Sequence, residues 1–197
     1  MLQLPENIAP NGATPALVDR GGVVRGASAL RINRLGSHYR IAMTLPPLDD
    51  EAGARIVVSR LIRAKREGLR VRYPLLSVDQ SACGTSVVVD GAGQVGGVLR
   101  VRGLPAGAVV REGYWLSVES SSGQHYLHNH GGDVVADGSG RAALLVGDTM
   151  LRRAFADGVK VHLVAPMIEG LIDGNEQSWG LSVDHNTAIE FTIEEAA

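Results

Sequence analysis

Cysteine is nearly absent: Cys83 stands alone, so no internal disulfide can form and the redox compartment is left open. Aromatic residues are scarce too, at 4% of the chain. The core must therefore be built from Val, Leu, Ile and Ala, with Trp115 and Trp179 as its few large anchors. Neither charge sign dominates. A formal net charge of -2 gives no global attraction to nucleic acid or to an anionic membrane. No apolar run approaches the roughly 18–20 residues of a membrane span, and no basic-then-apolar leader opens the chain. These absences predict a soluble protein with no membrane insertion that is not exported by an ordinary leader.

Glycine is present in quantity. Its 25 residues sit between short β-branched runs, which is the usage of an all-β protein with many turns. A length of 197 residues suits one domain or two small ones and can bury a sizeable core. Residues 1–28 carry Pro5, Pro10, Pro15 and the Gly21-Gly22 pair, which predicts an extended arm with one short strand near 16–18. From His38 the residues alternate, with Tyr39, Ile41, Met43 and Leu45 on one face and His38, Arg40, Ala42 and Thr44 on the other. Pro46-Pro47 ends that strand, since neither proline can donate to a ladder.

A single helix is expected over 49–67. Asp49 or Asp50 can cap it, Glu51 suits the positive end of the dipole, and Ala54, Val57, Val58, Leu61 and Ala64 or Lys65 form an apolar stripe. Arg60, Arg63, Lys65 and Arg66 crowd its last turns and Gly68 stops it. Residues 69–75 alternate again as a strand, with Pro74 at its end or edge. After Ser77 the chain breaks into short β-runs separated by turns, TSVVVD, VLRVRG, YWLSVE, HYLHN, DVVAD, RAALLV and KVHLVA. Asp137-Gly138-Ser139-Gly140 between two of them is a hairpin signal. Residues 166–178 read as a connection, and 179–194 as a final pair of runs in which Ile189, Phe191 and Ile193 alternate against Glu190, Thr192 and Glu194. The segments imply a mainly β chain with one helix, in two domains.

Several motifs touch on chemistry. Gly91-Ala92-Gly93-Gln94-Val95-Gly96 matches GxGxxG, but a dinucleotide site needs the third glycine to open a helix, and a strand-like run follows instead. A glycine-rich turn is the reading that fits. His125, His128 and His130 lie close together, yet on a strand only His128 and His130 share a face, and with Asp133 they still leave a metal short of ligands. The cluster reads as an exposed strand and loop. Asp184-His185 lacks a GxSxG elbow, and neighbours on a strand face opposite ways, so no hydrolase triad emerges. Asp49-Asp50 and Glu194-Glu195 read as a helix cap and a solvated tail, and Cys83 has no positive neighbour to activate it. The basic stripe of Arg55, Arg60, Arg63, Lys65 and Arg66, continued by Arg70 and Arg72, lacks the aromatic platforms of nucleic-acid readers and suits a solvated face or subunit interface. No catalytic, cofactor-binding or metal-binding set is expected, and the chain is read as a non-enzyme.

RINRLG followed by a strand and TLPPL, together with the closing WGLSVDHNTAIEFTIEEA, resembles the distal tail proteins of siphophages and related phage-like particles. VVVDGAGQVGG, Leu104-Pro105, Gly113-Tyr114-Trp115-Leu116, DVVADGSGRAALL and Ala156-Asp157-Gly158 match further segments of that pattern, whereas the Cys83 region and HYLHNH depart from it. The resemblance implies a tail-tube-like β-sandwich or split-barrel ring domain from residues 1–78 and 178–197, with an inserted small peripheral β-barrel domain at 79–177. It further implies a structural virion protein of the bacteriophage tail tip or baseplate, assembled in the host cytoplasm. Six copies would form a ring joining the tail tube protein to the tail-tip hub protein, around the tape-measure protein, with DNA only in transit through the channel. The rival reading is a carbohydrate-binding or enzymatic β-module of a tail or secretion apparatus, using Tyr114, Trp115 and Tyr126.

Overall fold

The computed structural model describes residues 1–5, 8–20, 23–25, 31–33, 35–48, 51–147, 149–174, 176–180 and 189–195. Their structure is mainly β, with a single α-helix and several sheets, none of them closed. The chain divides into two compact units, Met1–Leu17 with Tyr39–Pro74 and Ile168–Ala196, and Val18–His38 with Leu75–Met167. The sequence reading kept the segment 18–38 with the chain ends; here it clusters with the second unit. Among the described residues no helix is long and apolar enough to cross a membrane.

The first unit is organised by a six-stranded sheet. Its strands are β1 (Leu2–Gln3), β2 (Gly12–Val18), β5 (His38–Thr44), β6 (Leu69–Arg72), β17 (Met167–Ile172) and β18 (Glu190–Glu195), in the spatial order β1-β6-β17-β18-β5-β2. β18 runs antiparallel to β5 with Ile193 opposite Ile41 and Phe191 opposite Met43. On its other side it pairs antiparallel with β17, where Gly170 faces Glu195. The alternation expected on β5 holds for Tyr39, Ile41, Met43 and Leu45, all buried, and for Arg40 and Ala42, both exposed. His38 departs from it. It is buried, with Nδ1 3.0 Å from the Gly36 carbonyl.

The helix α1 covers Glu51–Glu67, and its expected caps Asp49 and Asp50 lie outside the described residues. It buries Ala54, Val57, Leu61 and Ala64, the positions one helical face provides, while Val58 is only half-buried and sits at the margin of that stripe. Gly68 ends it, its N–H donating to the Ala64 carbonyl at 3.0 Å. Beside the helix, Arg60 Nη1 donates to the Gln3 carbonyl at 2.6 Å, so part of the basic stripe is spent on the chain's own first strand.

Three expectations are corrected in this unit. The stretch read as a connection contains β17, because Ile168, Glu169 and Gly170 are all buried between β6 and β18. The arm holds β1 and β2, and β3 (Val23–Arg25) besides, rather than one short strand. Glu195 is no solvated tail residue: it is buried and its Oε2 accepts the Tyr39 N–H at 2.8 Å. A similar carboxylate, Glu169, is buried beside Arg70 at 2.7 Å, a paired charge rather than an orphaned one.

The second unit contains a hairpin of β3 (Val23–Arg25) with β4 (Arg31–Asn33) and four small sheets. These are β14 (Ala142–Leu145), β9 (Val98–Arg102) and β7 (Val88–Val89); β12 (His125–Asn129), β11 (Trp115–Glu119) and β16 (Val161–His162); β10 (Val109–Val110) with β13 (Val134–Val135); and β15 (Leu151–Phe155) with β8 (Gln94–Gly96). One apolar cluster joins them, including Leu99, Leu116, Leu144, Leu151, Phe155 and Leu163. The turn at Asp137-Gly138-Ser139-Gly140 forms, with Asp137 Oδ1 accepting the Ser139 and Arg141 N–H groups. Its flanking runs do not pair as the expected hairpin, since β13 pairs with β10 and β14 with β9. Gln80 is the hidden clasp of this unit: its carboxamide donates to the Trp115 and Leu163 carbonyls and accepts the Trp115 N–H.

Two changes test this packing in the first unit. Val57→Asp puts a carboxylate on the buried apolar face of the helix, so urea denaturation should show the unit unfolded, whereas Arg63→Ala, on the exposed face, should leave the midpoint nearly unmoved. Gly170→Ala should cost about 1–3 kcal/mol or more in the same assay, because a Cβ there collides with the Glu194 carbonyl on the paired strand. Equal tolerance of Val57→Asp and Arg63→Ala would mean the helix face is assigned wrongly.

Candidate functional site

Strand register places three coordinating side chains on one face of the β12-β11-β16 sheet. Glu119 of β11 lies directly opposite His125 of β12, and His162 of β16 lies opposite Ser117, two residues along β11 from Glu119. Residues two apart on a strand share a face, so Ser117, Glu119, His125 and His162 all project to the same side. His162 Nε2 stands 3.0 Å from Glu119 Oε2, and the two imidazole rings are 4.9 Å apart between centroids. One potential ligand atom from each of the three residues lies within 4.8 Å of the others.

The environment of the group is graded. His125 is buried and its Nδ1 is 3.3 Å from Ser117 Oγ, which also accepts the Met167 N–H at 2.9 Å. Glu119 and His162 are about one-third exposed, at 31% and 29% of their side chains, so the group opens to solvent on one side. The hydrogen bond from His162 holds the Glu119 carboxyl below its ordinary range, against a smaller opposing effect of burial. A carboxylate is therefore available at neutral pH.

The neighbouring histidines behave differently from the exposed cluster that sequence suggested. His128 and His130 are fully buried. His128 faces the opposite side of β12 from His125, with Nδ1 2.9 Å from Thr149 Oγ1. Burial pushes its pKa well below the ordinary value, and the nearby Arg152 adds to that. His130 accepts the Leu145 N–H on Nδ1 at 3.1 Å, and burial lowers its pKa too. Nε2 of each has no hydrogen-bond partner among the described residues. Asp133 is occupied by the Glu112 N–H, so the trio of His128, His130 and Asp133 is not assembled. Sequence reasoning missed Glu119 and His162, whose only signal was alternation in YWLSVE and KVHLVA.

The remaining candidates have structural occupations. Gly91, Gly93 and Gly96 take φ values of 95°, 73° and 88° in a turn that runs into β8, with no helix behind it. Asp157 Oδ1 accepts the Gly91 N–H at 2.7 Å and pairs with Arg102; the hydrogen bond from Arg102 above all, and then that from Gly91, lowers the Asp157 pKa to about 2. Cys83 is buried, and burial pushes its thiol up, the opposite of activation. Asp184 and His185 lie outside the described residues. Of the aromatics invoked for sugar stacking, Tyr126 lies in the apolar core against Phe155, on the opposite face of the sheet from Trp115. They form no common platform. No family model matches the chain, and no curated protein matches it either.

The burial of His128 has a sign that can be measured. An unfolded histidine titrates near pH 6.5, so below that pH the unfolded chain binds a proton that folded His128 refuses. Stability should therefore fall as pH drops from 7.5 to 5.5, at up to about 1.4 kcal/mol per pH unit for this group. Chemical denaturation across that window should show the loss, and His128→Gln should reduce it, the rest coming from His130.

Proposed function

We propose that the chain is a non-catalytic structural protein of a siphophage-type tail tip, acting as a ring of identical subunits, six by resemblance. In that role it joins the tail tube to the hub, encloses the tape-measure protein and leaves a channel for DNA. The single observation that carries the reading is the adjacency of β5 and β18. These strands come from the two segments on which the resemblance to distal tail proteins rests, RINRLG with its following strand and the C-terminal run. In this register their alternating apolar residues, Tyr39, Ile41 and Met43 with Phe191 and Ile193, are all buried, and Ile41 and Met43 stand directly opposite Ile193 and Phe191.

Other features support an assembly role. A closed ring of identical subunits needs a heterologous interface, with two different surfaces on each copy. The first unit's sheet ends in two different edge strands, β1 and β2, and α1 turns Ile56 and Ile62 outward at 44% and 51% exposure beside its arginines. In this reading the ring domain has the tail-tube-like fold and the second unit is its inserted β-barrel.

Imaging of assembled particles tests the proposal directly. Copies of this chain are expected at the distal end of the tail, closed around the channel. Their absence from the tip, or an arrangement that does not encircle the channel, overturns it. A monomer in dilute solution is compatible with it, because an interface of modest area can need its tail partners to form.

A further inference from the structure

The Glu119, His125 and His162 group is more than a surface ion pair. We propose that these three side chains form a binding site for one divalent first-row transition ion, zinc being the best match, which ties β11, β12 and β16 together.

The donor set is the first reason. Two imidazoles and a carboxylate are the three protein ligands of open zinc sites, with the fourth position left to water or another ligand. A calcium or magnesium site would instead be built from oxygens. The second reason is the framework. Glu119 and His125 are opposed across one ladder and His162 enters from the strand on the other side, so the backbone hydrogen bonds of three strands fix the Cα positions. Ligand atoms within 4.8 Å need little movement to reach one ion. Two atoms each about 2.1 Å from a tetrahedral zinc stand about 3.4 Å apart, so the widest pair has to close by up to about 1.4 Å, a distance that side-chain rotation covers. Glu119 and His162, half-buried at the open side, are free to make that adjustment.

The third reason is the support behind His125. Ser117 is completely buried and holds Nδ1 of His125, while its oxygen is itself fixed by the Met167 N–H. Metal-bound histidines characteristically have the second ring nitrogen held in this way, which orients the ring and directs the other nitrogen outward. Ser117 is thus a positioning residue. When the ion enters, the hydrogen bond between His162 and Glu119 is exchanged for two coordinate bonds. The imidazole proton of His162 moves from Nε2 to Nδ1, and Nε2 and Oε2 both turn lone pairs to the metal.

The test uses the full chain, stripped with chelator and titrated with zinc chloride in a calorimeter. One ion per chain is expected, with a rise in thermal midpoint. Glu119→Gln and His162→Gln should each weaken binding about tenfold or more, while Asp133→Asn should not change it. Cobalt should give the visible absorption of a four-coordinate site, and magnesium should not compete. In the unaltered protein, zinc should shift the ring resonances of His125 and His162 but not those of buried His128 and His130, a measurement that needs no variant to fold. No saturable binding, affinity unchanged by Glu119→Gln and His162→Gln, loss of binding in Asp133→Asn, effective competition by magnesium, or shifts at His128 and His130 instead would each overturn the proposal.

Discussion

The first unit depends on the placement of β18 between β5 and β17. Phe191 and Ile193 of β18 stand opposite Met43 and Ile41, about 150 residues earlier in the chain, and with Ile189 they are buried. Burying three such side chains contributes about 1.5–3 kcal/mol each, so together they rival the whole stability of an ordinary domain. The sheet cannot be complete before the last strand is made. This makes a discontinuous unit with high-separation contacts, a topology expected to fold more slowly than one with local contacts. It also explains why Gly170 is required: the β17–β18 approach leaves no room for a Cβ.

Several buried polar groups in both units meet the demand that burial makes for a partner, although Nε2 of His128 and of His130 does not. Glu195 takes the Tyr39 N–H, Glu169 takes Arg70, and Gln80 spends its whole carboxamide on backbone groups of β11 and Leu163. Removing any of these would leave an unsatisfied group behind, which costs more than the bond itself contributes. His125 belongs to the same economy through Ser117, but unlike the others it ends at a solvent opening. That difference separates a structural polar contact from a place where a ligand can enter.

The ring proposal and the metal site concern different units and different physics. The ring reading rests on strand order and on the resemblance of short segments. The metal reading rests on donor chemistry and register within one small sheet. Either can fail without the other.

Much of the local structure was legible in the sequence because it obeys short-range periodicity. The alternation of residues 38–45, the helix with its stripe at Ala54, Val57 and Leu61, the Gly68 stop and most of the short β-runs follow from steric and hydrophobic rules acting over a few residues. Features set by distant chain segments were not. β17 falls in the stretch that reads as a connection: MIEGLI carries a glutamate and a glycine in its middle, and Arg70 and the backbone of β18 make those residues fit a buried strand. The turn at Asp137 was legible, but the partners of β13 and β14 were not, since a turn specifies a reversal and not the ladder beyond it. Alternation already separates His125 from His128 and His130 in the sequence, but only the fold shows His128 and His130 buried and the register that joins His125 to Glu119 and His162. Sequence alone determined most of the strands, the helix and where it stops, because those follow from the chain's own periodicity. Tertiary structure alone decided which strands are neighbours, and therefore which side chains share a site, because register is set by partners as far apart as Arg40 and Glu194.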